Sequence, residues 1–292
     1  MLQKVVIPVA GYGTRFLPYT KAAPKEMLPI VDKPVIQYIV EDAVKAGFKE
    51  IILITGANKR AIEDHFDTNF ELETKLEKAG KLEQLREIRA ISSLAKFIYV
   101  RQSEPLGNGH AVLMAREVVG NEPFAVVWGD EILQSDPPVL AQLKECYQTY
   151  GKSCLVLIRA PREKFAEYCS KYGCAEVEKV GERDYKIKGV IEKPDPKEAP
   201  SDLFSVGGWI FEPKVMDILA QLQPGKGGEI WLQDANDQLA KNGELYGREI
   251  QGKYFDIGSK QGFLKATVEF ALQREDLKED FRRYLKEICQ EL

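Results

Sequence analysis

The chain is poor in the residues that hold soft metals. It has two histidines and five cysteines, at 146, 154, 169, 174 and 289, and no two cysteines form a CxxC pair. A zinc centre is therefore not expected. The odd cysteine count and an N-terminus without a long apolar stretch suit a reduced, cytoplasmic protein. No window approaches ~18 uninterrupted apolar residues, so no transmembrane helix is expected. Excess positive charge is also missing: 41 Lys and Arg face 45 Asp and Glu, a net charge of -4. That argues against a nucleic-acid partner, because a phosphate backbone demands a basic face. Two common phosphate loops are absent as well. There is no GxxxxGK[ST], and Phe16 stands where a dinucleotide fingerprint needs its third glycine, which counts against an NAD-dependent oxidoreductase.

What is present is ordinary globular material, 44% hydrophobic and 29% charged, in a recurring β–α pattern. Lys4 to Val9 reads as a buried strand ending near Pro8. A loop follows, then a helix with Asp32 as N-cap, Pro34 in its first turn, an apolar stripe through Ile36, Ile39, Val40, Ala43 and Val44, and a stop at Gly47. Ile51–Ile54 is the next strand, and such a βαβ start implies a parallel sheet. Further strands are expected at Phe97–Arg101, Phe124–Trp128, Ser153–Arg159, Tyr185–Glu192 and Phe204–Phe211, and a helix after Asp136, Pro137 and Pro138. The expectation is a single domain, 1–292. It has a central, mostly parallel mixed sheet between helical layers, a helical insert over about 60–95 and a C-terminal helical arm over about 259–292. Leu72, Leu76, Leu82, Leu85 and Ile88 give the insert an apolar side.

Ala10-Gly-Tyr-Gly-Thr-Arg-Phe-Leu-Pro follows the first strand directly. Gly11 and Gly13 let backbone approach a ligand and expose N–H groups to phosphate oxygens. Arg15, Lys21 and Lys25 add cations, and Pro18, Pro24 and Pro29 stiffen the loop. By spacing alone, a Gly/Pro-rich turn with solvated lysines remains the plain alternative. Trp128-Gly-Asp-Glu follows an apolar strand, so Asp130 sits where open α/β sheets bind ligands. Glu131 points to the other side of an extended chain. For Asp256, ahead of Gly258 and Ser259, a helix N-cap is an open alternative.

The segment GYGTRFLPYTKAAPKEMLPIVDKPVIQY resembles the signature of the sugar-phosphate nucleotidyltransferases. The KEMLP form, the HFDTNFELE stretch and the insert after it are closest to the bacterial branch that joins UTP to glucose 1-phosphate. The resemblance runs from about Lys4 to about Thr267, and it implies a Rossmann-like three-layer nucleotidyltransferase fold. It places Ala10, Gly11, Gly13 and Thr14 on the nucleotide, and in Val100-Arg-Gln-Ser-Glu-Pro-Leu-Gly it gives Gln102 the uracil edge and Gly107 the face of the base. His110, nearby, reads as a packing or capping residue. Asp130 and Asp256 are the implied Mg2+ ligands. Glu192 is implied for sugar hydroxyls, Lys193 for the sugar phosphate, and Gly173 and Gly207 for backbone contacts to the sugar. Arg15, Lys25 and Lys193 are the implied charge-neutralising residues of catalysis.

The implied partners are UTP and a sugar 1-phosphate, and the helical arm makes a homodimer or homotetramer the expected assembly. Glu192 and Lys193 alternate along a strand, so they face opposite ways unless the chain bends at Pro194. Cys174, Gly208, Trp209 and Trp231 depart from the usual pattern, and these departures cluster on the sugar side. A thymidylyltransferase, a uridylyltransferase for another hexose 1-phosphate, or a catalytically weak regulator that binds nucleotide sugars therefore stay open at this stage. Retention of Arg15, Lys25, Asp130, Lys193 and Asp256 together disfavours the regulator.

Overall fold

The computed structural model describes residues 2–291, and for Lys226 the backbone alone. The first strand, β1 (Lys4–Pro8), is the structural centre, with Val5, Val6 and Ile7 fully buried. A small hairpin follows, β2 (Pro29–Ile30) with β3 (Lys33–Pro34), and then helix α1 (Val35–Lys45). The chain returns as β4 (Glu50–Thr55), parallel to β1. Its aliphatic run, Ile51 to Ile54, is buried on both faces, as a central parallel strand requires.

The 60–95 segment is three helices, α2 (Arg60–Phe66), α3 (Phe70–Lys78) and α4 (Leu82–Ser92). Of its expected apolar side, Leu85 is buried, while Leu72 and Leu82 are exposed. Strand β5 (Lys96–Arg101) then pairs parallel with β4. Short helices α5 (Asn108–Leu113) and α6 (Arg116–Val119) lead into β6 (Phe124–Val126), parallel to β1 on its other side.

Beyond β6 come β7 (Glu131–Gln134), α7 (Val139–Tyr150), β8 (Ser153–Arg159), α8 (Phe165–Lys171), β9 (Gly173–Lys179), β10 (Asp184–Glu192) and β11 (Leu203–Phe211). Next are α9 (Lys214–Gln221), α10 (Leu232–Lys241), β12 (Leu245–Glu249), β13 (Lys253–Asp256), α11 (Lys260–Ala271) and α12 (Lys278–Glu291). Among the described residues one nine-stranded sheet runs β5-β4-β1-β6-β11-β8-β12-β10-β9, and β7 with β13 forms a separate antiparallel ribbon. The sheet is parallel from β5 to β6 and mixed beyond, where β11 runs antiparallel to both β6 and β8.

Alternation along the strands divides the core in two. Val5 and Ile7 pack with α1 and α7, and Val6 packs with α5, α9 and α10, so helices cover both faces. Each large side chain fully buried in this way contributes about 1.5–3 kcal/mol of burial free energy.

Local expectations fail in instructive places. Asp32 does not cap α1, whose N-cap position is Pro34. Its carboxylate instead accepts from Arg274 Nη1, at 2.7 and 2.8 Å, tying the β2–β3 turn to the C-terminal helices. Strands β7, β9, β12 and β13 are not foreseen, because they are short or carry charged residues on a solvated face.

Candidate active site

A cleft of about 810 Å³ opens at the C-terminal ends of β1, β5 and β6. This is where parallel α/β sheets present loops to ligands, and the volume suits a nucleotide-sized molecule. Its wall includes Ala10, Gly11, Arg15, Lys25, Gln102, Gly107, Asp130, Lys193 and Asp256. The fold therefore brings together residues that span most of the sequence.

The glycine loop leaves β1 as irregular backbone. A Cβ at Gly11 would meet nothing within 4 Å, so the protein interior does not demand glycine there. The open space lies on the cleft side. Gly13 serves the chain itself: its φ is +66°, and a Cβ there would press on Lys25 and Thr20 at 3.1 Å. Gly13 and Thr14 are not part of the cleft wall, and Lys21 is exposed outside it.

Lys25 Nζ donates to Asp130 Oδ2 at 2.5 Å. Burial alone would lower the Lys25 pKa, but the charges of Asp130 and Glu26 outweigh it and hold the ammonium above its ordinary value. Next to it, Glu26 is almost completely buried and accepts from Lys59 Nζ at 2.8 Å, an ion pair that joins the glycine loop to the residue before α2. Burial pushes the Glu26 carboxyl up, with Lys59 opposing. Its other oxygen, Oε1, has no hydrogen-bond partner.

The two aspartates meet through the β7–β13 ribbon. Asp256 ends β13 opposite Glu131, and the Ile257 N–H donates to the Asp130 carbonyl at 3.1 Å. At Gly258 the absence of a side chain leaves a small cradle. The point a Cβ would occupy is 2.7 Å from Asp130 Oδ2, 2.9 Å from Arg15 Nη2 and 3.1 Å from Asp256 Oδ1. The two carboxylate oxygens lie on the same side of Gly258, and a pair of hard oxygen donors suits the chemistry of a magnesium ion, which takes one or two carboxylates and completes its shell with phosphate oxygens and water. Among the described residues no group of three or more His, Cys, Asp or Glu forms a metal cage.

Glu131 turns away from this point. Its Oε2 accepts from the Gly207 N–H at 2.8 Å, and burial, with the neighbouring Asp130 charge, pushes its carboxyl up to about 8. The Gly207 N–H is thus engaged by protein. A Cβ at Gly207 would strike Trp128 and Glu131 at 2.4 and 2.5 Å, so glycine is required there by packing. Glu131 also lines a second cavity of about 590 Å³, between α1, β7 and the C-terminal helices.

The Glu192–Lys193 pair bends as the alternation rule alone would not allow. Lys193 has φ +47°, a left-handed conformation rare outside glycine, immediately before Pro194. The turn puts Lys193 Nζ 3.7 Å from Glu192 Oε1, with both side chains exposed. Gly173, paired with Glu192 across β9 and β10, gives room: a Cβ there would lie 3.3 Å from Glu192 Oε2.

The sequence departures on the sugar side separate. Cys174 Sγ turns inward and donates to the Ser201 carbonyl at 3.2 Å. A Cβ at Gly208 would press on Val156, and Trp209 is buried between Trp128 and Phe211. Those three do not line the cleft, whereas Trp128 and Trp231 do. Tyr12, Tyr172 and Glu229 also line it. A tyrosine between Gly11 and Gly13 is a signal the sequence did offer for Tyr12. His110 lies outside the cleft wall and packs behind it, with its Nδ1 3.0 Å from Gln102 Nε2.

A glycine loop, two converging carboxylates and three cations line one cleft at the strand ends, an arrangement suited to the phosphates of a nucleotide. The chain belongs to the nucleotidyl transferase family, whose model matches residues 4–273. It is similar to a UTP–glucose-1-phosphate uridylyltransferase of Staphylococcus saprophyticus, 44% identical over 98% of this chain and 99% of the relative. Among solved structures, a UDP-glucose pyrophosphorylase complexed with UDP-glucose superposes with TM-score 0.84 and 41% identity, covering 94% of this chain and all of the other. A UTP-bound UGPase from Acinetobacter baumannii superposes with TM-score 0.90 and 37% identity, over 98% and 99% of the two chains. No helix among the described residues is long and apolar enough to cross a membrane.

Proposed function

We propose that this chain transfers the uridylyl group of UTP to glucose 1-phosphate, giving UDP-glucose and pyrophosphate. The observation that carries the reading is the convergence of Asp130, Asp256 and Arg15 on one point beside Gly258, with Lys25 at its edge. The relatives named for this reaction match nearly the whole chain. The sugar-side departures that kept another hexose in play mostly face the core.

An oxygen of the sugar phosphate attacks the α-phosphorus of UTP in line with the departing pyrophosphate. The second pKa of a phosphate monoester is about 6, so the nucleophile is ionised at neutral pH and no general base is required. The barrier is repulsion between two anions. Arg15 and Lys25 neutralise the triphosphate, and Lys193 holds the sugar phosphate beside Glu192, which accepts from ring hydroxyls. Gln102 and Gly107 seat the base. Asp130 and Asp256 would hold a magnesium ion, which would supply further charge neutralisation at the phosphates.

Initial rates of pyrophosphate release test this, first with five triphosphates and glucose 1-phosphate, then with several hexose phosphates and the best triphosphate. UTP is expected to lead, with dTTP second and ATP, GTP and CTP poor. A purine preference contradicts the base assignment, and a preference for galactose or N-acetylglucosamine 1-phosphate contradicts the sugar.

A further inference from the structure

Gln102 follows β5 directly. Its backbone N–H donates to the Thr55 carbonyl at 2.8 Å, and its side chain sits in the cleft wall, only 9% exposed. The amide nitrogen is 3.1 Å from the Gly107 carbonyl oxygen and 3.0 Å from His110 Nδ1. An amide NH2 carries two hydrogens and accepts none. Both neighbours must therefore be acceptors, and His110 Nδ1 carries no proton in this arrangement. The opposite amide orientation would set the Gln102 oxygen against the Gly107 oxygen, acceptor against acceptor.

Both acceptors are carried by backbone that is held in place. The Gly107 carbonyl also accepts from the Ala111 N–H at 3.1 Å, and a Cβ at Gly107 would lie 2.6 Å from the Ile230 oxygen. The start of α5, which carries His110, is clamped by the Gly109 N–H to Ile230 at 2.9 Å and by Asn108 Oδ1, which accepts from the Leu232 N–H at 2.9 Å. His110 is not in the cleft wall. It stands behind Gln102 and acts through it.

We infer that His110 is a specificity-determining positioning residue. It takes up one amide hydrogen of Gln102, and so holds the Gln102 carbonyl toward the base. The inference rests on the uridylyl reading above. A fixed carbonyl accepts from the N3–H of uracil or thymine. Cytosine presents a lone pair at N3, which that carbonyl repels and a turned amide would welcome. The lock therefore separates UTP and dTTP from CTP, and does nothing to separate UTP from dTTP.

The test compares kcat/KM for UTP, dTTP and CTP in the wild-type enzyme, His110→Leu and His110→Asn. Leucine removes the acceptor at similar bulk, while asparagine can return an oxygen to the place of Nδ1. For His110→Leu the UTP-to-CTP ratio is expected to fall about tenfold or more, the scale of one lost hydrogen bond in a desolvated site. The UTP-to-dTTP ratio stays within about twofold, and kcat at saturating UTP changes less than KM, because the chemistry lies elsewhere. His110→Asn restores the UTP-to-CTP ratio. If the leucine variant does not fold, His110→Gln replaces it, since its amide reaches the place of Nε2 and leaves the second Gln102 amide hydrogen without its acceptor, the Gly107 carbonyl keeping the first. An unchanged UTP-to-CTP ratio, or a parallel loss of all three triphosphates in both variants, overturns the inference. A wild-type enzyme that prefers a purine overturns the uridylyl reading itself, before any variant is measured.

Discussion

Lys25 Nζ donates to Asp130 Oδ2 at 2.5 Å, joining the glycine loop to a strand end 105 residues away. The carboxylate keeps the lysine charged despite its burial. Removing one preorganised charge of this kind costs about 10²–10³ in kcat. Lys25→Ala is expected to lose that much in steady-state turnover while its circular dichroism matches the parent. Near-parental turnover in a folded variant would return Lys25 to a structural role.

On the proposed reading, turnover depends on a metal held by Asp130 and Asp256. Chelation is expected to abolish turnover and magnesium to restore it. In Asp256→Asn, Mn2+ titrated by electron paramagnetic resonance in the presence of UTP should bind at least about tenfold more weakly, as for loss of one of two charged ligands. Full turnover after exhaustive chelation sinks the assignment.

Lys193 separates stability from function. Its left-handed backbone costs on the order of 1 kcal/mol, which glycine avoids. Lys193→Gly is therefore expected to keep or raise the melting temperature. At the same time it should raise KM for glucose 1-phosphate about tenfold or more and leave UTP binding unchanged. A drop in melting temperature with unchanged KM contradicts both halves of the argument.

The Glu26–Lys59 pair is nearly solvent-free. Breaking a buried pair by removing one partner leaves an uncompensated charge and costs about 3–5 kcal/mol. Lys59→Met should lose about that much in urea unfolding, and Lys59→Met with Glu26→Gln should recover part of it. A loss under about 1 kcal/mol, the range of surface pairs, shows that the carboxyl is not charged there.

Much of this was legible in the sequence. The run from Ile51 to Ile54, the glycine loop behind β1 and Asp130 at the end of an apolar strand are local signals, and local signals survive folding, whereas Asp256 stands out only through the family resemblance. What the sequence hid depends on partners far along the chain. Asp32 looks like an N-cap until Arg274 takes its carboxylate. Glu26 sits inside a recognisable motif, but its ion pair with a lysine 33 residues on gives no local mark. Cys174 and Trp209 read as sugar-side changes because alternation along a strand fixes which residues share a face, not which face meets the cleft. Lys193 escaped that alternation altogether, because the left-handed turn lies at the lysine itself, one residue before Pro194.

The central claim is nucleotidyl transfer by attack at the α-phosphorus, and the most direct measurement follows the label. With UTP labelled at the α-phosphorus and unlabelled glucose 1-phosphate, the label is expected in UDP-glucose. With UTP labelled at the γ-phosphorus, it is expected in pyrophosphate. Label from the γ-position in orthophosphate or in the sugar, or α-label left in UMP or UDP, would contradict the account.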